Sequence, residues 1–96
     1  MNEKELKLIR LEPEKLKDRS YFALYMKQEL GLEGPFSGNL DALADYLSEV
    51  TQEIVFEVDS GSLYRFAQDQ WMNRLLQMLS SMAQENPHLH LYLTDR

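Results

Sequence analysis

Apolar residues fall into two periods along this chain, and the alternation of the two predicts its architecture. Leu6-Lys7-Leu8-Ile9-Arg10-Leu11 partly alternates and is stopped by Pro13, which lacks an amide and biases Glu12 towards extended backbone, so a strand ends there. Glu53-Ile54-Val55-Phe56-Glu57-Val58 has three adjacent apolar residues rich in β-branching, the pattern of a central strand. His88-Leu89-His90-Leu91-Tyr92-Leu93 alternates again, with its leucines expected to face helices. Strands are therefore predicted near 6–11, 53–58 and 89–94.

The intervening stretches have helical spacing. Ser20 is placed to cap a helix with a face of Phe22, Tyr25, Met26, Glu29 and Leu30, ended by Gly31. Asn39 caps a second, in which Leu40, Leu43, Ala44 and Leu47 share a side. After the break at Asp59-Ser60-Gly61-Ser62, a short piece through Leu63, Tyr64, Phe66 and Ala67 leads into a longer helix. Trp71, Met72, Leu75, Leu76, Leu79, Met82 and Ala83 recur along that helix until Asn86-Pro87. Glu12 to Arg19 balances its charges and reads as a solvated connection, with Leu16 reaching the core. Strands separated by helices pair in parallel through right-handed crossovers, which predicts a two-layer α/β domain with a three-stranded parallel sheet packed with helices. Leu43, Leu47, Phe56, Leu75 and Leu79 are expected to be buried. No repeat or linker divides the chain, so one domain is expected over residues 1–96.

One helix carries charge that stability does not require. Asp41, in the first turn, complements the macrodipole, but Asp45 one turn later repels it by about 0.2–0.5 kcal/mol. With Glu49, three carboxylates line one stripe. Such a stripe suits a cationic partner; it is also what a plain solvated acidic helix face looks like.

The net charge of −6 over 96 residues argues against nucleic acid as a direct ligand and for a basic partner. The absence of cysteine removes disulfides and thiol chemistry, which fits a reducing cytosol. Met1-Asn2-Glu3-Lys4-Glu5 has no apolar signal core and no apolar run is long enough to span a bilayer, so a cytoplasmic protein without membrane contact is expected. His88 and His90 share a strand face, but nothing nearby supplies the further ligands of a metal site. Asp41 and Asp45, as acid and base or as a Mg²⁺ pair, lack a convergent cleft, a nucleophile motif or a phosphate loop. Ser60-Gly61-Ser62 reads as a turn. The expectation is a binding protein rather than an enzyme, without cofactor, monomeric when free.

Pro35-Phe36-Ser37-Gly38-Asn39-Leu40-Asp41-Ala42-Leu43-Ala44-Asp45-Tyr46-Leu47, preceded by Lys27-Gln28-Glu29-Leu30-Gly31-Leu32, resembles the barstar family of intracellular ribonuclease inhibitors. The tight part of the match covers residues 27–47. The resemblance implies a small parallel sheet and a helix at 40–50 that, with its preceding loop, plugs the active site of a basic, barnase-type guanyl ribonuclease. Carboxylates would there stand in for substrate phosphates. Carried over by position, Asn39 matches the motif asparagine and Leu40 an apolar contact. Asp41 and Asp45 match the two aspartates that face the nuclease, Asp45 the dominant one. With Phe36 as the aromatic before the glycine and Glu49 from the acidic stripe, these are the expected partner-binding residues. The chain departs from the family pattern at Pro35 and Ala44, where aromatics are usual, at Gly38, one place late, and near Ser81, where an acidic contact is usual. Two targets follow: a guanyl ribonuclease, or another basic protein bound by a barstar-like interaction module.

Overall fold

A computed structural model describes residues 6–95; the charged stretch 1–5, expected to hold no apolar signal core, and residue 96 lie outside the described residues. Three strands, β1 (Leu6–Arg10), β2 (Glu53–Asp59) and β3 (Leu89–Thr94), form a parallel sheet in the order β1-β2-β3. The β-branched strand is central, as its continuous apolar run predicts: Ile54, Val55, Phe56 and Val58 are all buried. Ile9 pairs with Phe56, and Phe56 with Leu91, so one register carries apolar residues across the sheet.

The crossovers are helical. Helices α1 (Pro13–Leu16), α2 (Arg19–Leu30) and α3 (Leu40–Ser48) join β1 to β2. A 3₁₀ turn at Ser60–Ser62, then α4 (Leu63–Gln68) and α5 (Gln70–Glu85), join β2 to β3. One hydrophobic cluster unites the layers: Ile9, Phe56, Val58 and Leu89 from the sheet meet Phe22, Met26, Leu43, Leu47, Phe66, Leu75 and Leu79 from the helices. All five residues expected to be buried are in it. The opposite sheet face carries Leu6, Leu8, Arg10, Glu53, Val55, Glu57, His88, His90 and Tyr92, and among the described residues no helix covers it; Leu6 is 65% exposed and Leu8 45%.

Three expectations are corrected. The stretch 12–19 is not merely a connection, because Pro13 sits at the first helical position, where its missing amide costs nothing, and both Pro13 and Leu16 are buried. Asp18, not Ser20, caps α2: its carboxylate accepts from the Ser20 amide at 3.0 Å and the Tyr21 amide at 3.2 Å, a charge-assisted contact that a hydroxyl two residues later does not match. Leu93 breaks the inward alternation of β3 and is 57% exposed, since it lies near the end of an edge strand, beyond Leu89 and Leu91, which reach the core. Gly31 ends α2 as expected, in the left-handed region at φ 67°.

Candidate functional site

The loop before α3 is fixed by what lies under it. Gly38 is buried with φ +90°, a backbone conformation that L side chains rarely adopt, so glycine meets a backbone requirement there; a Cβ would only touch Phe22 and Ala23 at ordinary contact distance. Phe36 is half-buried with its ring centroid 6.5 Å from that of Phe22. Next in the chain, the Asn39 side-chain oxygen accepts from the Asp41 amide at 2.7 Å and the Ala42 amide at 3.2 Å, which starts α3 at a defined residue.

The helix is then anchored along its length. Leu43 and Leu47 are fully buried, and Leu40 packs half-buried against the same core. The Tyr46 hydroxyl donates to the Leu30 carbonyl at 3.1 Å, tying α3 to the end of α2. Beyond its C-terminus, the buried Asn86 amide donates to the carbonyls of Leu47 and Val50, both at 2.9 Å, and its oxygen accepts from the His88 amide at 3.0 Å. Asn86, expected only to end a helix, thereby joins three elements.

On the outer side of this anchored helix, Asp41, Asp45 and Glu49 are exposed at successive turns, their Cβ atoms about 5–6 Å apart. Among the described residues none of the three carboxylates makes an ion pair or hydrogen bond. Elsewhere Glu12, Glu14, Glu29, Glu53 and Glu57 all have cationic or imidazole partners. The expected site residues thus divide: Asn39, Asp41, Asp45 and Glu49 lie on the exposed side of α3 or its cap, Leu40 is partly accessible beside them, and Phe36 is turned largely towards Phe22. Among the departures, Pro35 and Ser81 are exposed and Ala44 is half-buried.

Two arrangements escaped the sequence. Arg19, at the start of α2, lies 4.3 Å over the ring of Trp71 on α5, and Trp71 meets Phe22 edge-on at 4.9 Å. Arg19, Trp71 and Arg74 line a groove with Ser37, Asn39 and Asp41. Trp71 reads as core by spacing, and Arg19 as one member of a balanced charged segment; only the fold brings them together. On the open sheet face, Glu53 bridges the two histidines, 2.5 Å from His88 Nδ1 and 2.9 Å from His90 Nε2. These two hydrogen bonds hold its carboxyl below the usual carboxylate range. Among the described residues no group of three or more His, Cys, Asp or Glu is arranged to hold a metal ion, and no helix is long and apolar enough to cross a membrane.

A family model described as Barstar (barnase inhibitor) matches residues 6–94, nearly the whole chain. No curated protein matches it.

Proposed function

The chain belongs to the barstar family, and from that membership and the α3 edge we propose that it binds and blocks the active site of a small basic guanyl-type ribonuclease. The observation that carries this reading is the stripe of Asp41, Asp45 and Glu49, exposed and without partners among the described residues, on a helix anchored at both ends. An anchored helix presents its carboxylates with little ordering cost on binding, which favours affinity. A nuclease that cleaves a phosphodiester must hold phosphate with cations, and aspartates at successive helical turns offer those cations oxygen acceptors. Asp45 is the anchor, Asp41 supports it from the first turn beside Asn39 and Leu40, and Glu49 at the rim steers encounter. Phe36 contributes by holding the loop on Phe22. The protein acts as a binder, since its carboxylates follow one exposed helix instead of converging in a cleft.

A second reading keeps the fold and changes the target. Pro35, Ala44 and Ser81 alter the surface around the stripe, which favours a basic protein of another kind. Titrating the chain into a panel of guanyl ribonucleases while following RNA cleavage tests the first reading. Stoichiometric loss of activity with at least one enzyme is the expected result. Full activity of every enzyme at excess inhibitor contradicts it and leaves the second reading, to be pursued by capture of basic proteins.

A further inference from the structure

We propose that the recognition edge is dipolar: Arg19 and Arg74 seat a carboxylate side chain of the same partner protein whose cations meet Asp41 and Asp45. This rests on the reading of α3 as the docking edge and adds the partner's chemistry on its other side.

The groove beside the α3 cap is built around these two guanidinium groups. Arg19 is held by its stack on Trp71, which is in turn fixed edge-on against Phe22. Arg74 follows Trp71 by three residues on α5, so both project on neighbouring parts of one helix surface. Both arginines line the groove together with Asp41. Among the described residues neither guanidinium makes an ion pair, whereas Arg10 and Arg65 pair with Glu57 and Glu14. Two planar donor forks are therefore unspent at the mouth of a groove, and a carboxylate is the group whose geometry they match.

Charge decides between partners. A uniformly cationic surface pressed onto this edge would satisfy Asp41 and Asp45 but set its own cations against Arg19 and Arg74 in a water-poor interface. A polyanion such as RNA would satisfy the arginines and meet the aspartates. A protein surface with an acidic side chain next to its cationic cluster satisfies both halves, and it excludes basic proteins that lack the acid, which is how a small inhibitor gains specificity.

The test uses the full chain and whichever guanyl ribonuclease of the panel it captures. Arg74→Glu is expected to weaken binding by at least about tenfold, and Arg74→Gln by less. Arg19→Glu should match Arg74→Glu; because it also removes the stack on Trp71, its thermal melt is compared with the parent's, and Arg74→Glu, outside that stack, carries the conclusion. Replacing the partner's facing acid with lysine should restore binding to Arg74→Glu while weakening the parent pair. Unchanged or tighter binding by Arg74→Glu overturns the inference and leaves the inhibitory reading standing. Failure of the parent chain to bind any of the ribonucleases overturns both.

Discussion

The molecule has two charged surfaces, and they are wired differently. On the open sheet face, Arg10 donates to Glu57 at 2.8 Å across β1 and β2, and Glu53 serves both His88 and His90 across β2 and β3. The charges there meet neighbours on adjacent strands and stitch the sheet. On α3, Asp41, Asp45 and Glu49 repel one another, and among the described residues none has a partner. Like charges on successive turns cost helix stability by about 0.2–0.5 kcal/mol per pair, and on the reading proposed above a cationic partner offsets that cost on binding. The difference is between charge that the fold pairs across strands and charge that, under the proposed function, is left for a partner.

The largest expected effect tests the support beneath the α3 edge. Leu75 is fully buried in the cluster that also holds Leu43 and Leu47, and Leu75→Ala should destabilise by about 2–5 kcal/mol as read from denaturant midpoints. An unchanged midpoint would mean that the helices rest on something other than this core. Asn86→Ala comes next. It strips partners from the Leu47 and Val50 carbonyls and the His88 amide, at about 1–3 kcal/mol for each group left buried and unsatisfied. Hydrogen exchange should quicken at the end of α3 before it does so in β2.

Glu53 sharpens the sheet half of the comparison through pH. Its folded carboxyl lies below its ordinary value of 4.5 because His88 and His90 donate to it. The stabilisation from this shift is thus fully present above that ordinary value and is lost as pH falls through the depressed folded one. In Glu53→Gln the acid limb of stability between pH 5 and pH 2, about the range of carboxylate titration, should be flatter than in the parent. Equal acid limbs in the two proteins would show that the bridge contributes nothing. The smallest effect is at the rim of the other surface: Glu49→Ala should leave the melt within about 0.5 kcal/mol and lower mainly the association rate with a basic partner, the difference vanishing at high salt.

Much of this was legible from local pattern. Strand spans near 6–11, 53–58 and 89–94, the centrality of the β-branched strand, the Asn39 cap and the exposed aspartates follow from period and capping chemistry, which act over a few residues. The misses have a common physical origin in contacts that join distant segments. Asn86 bonds a carbonyl 39 residues away, Glu53 reaches His88 35 residues on, and Arg19 stacks on Trp71 from another helix. Phe36 looks like a surface aromatic in a loop, and only the position of Phe22 shows that much of its ring is spent on packing. The turn at Pro13–Leu16 differs in kind, because proline favours a first helical position as well as a strand stop, a local signal that the strand-stop reading leaves unused.

The two surfaces can be set against each other in one titration. Asp45→Ala, from the α3 stripe, and Glu57→Ala, from the paired sheet face, are each measured for stability in denaturant and for affinity towards a captured guanyl ribonuclease. Asp45→Ala should keep the parent's midpoint or raise it slightly while losing about 2–5 kcal/mol of binding, and Glu57→Ala should bind as the parent does. Parent-like affinity in Asp45→Ala, or an equal loss in both variants that salt abolishes, would contradict the claim that α3 carries the binding charge.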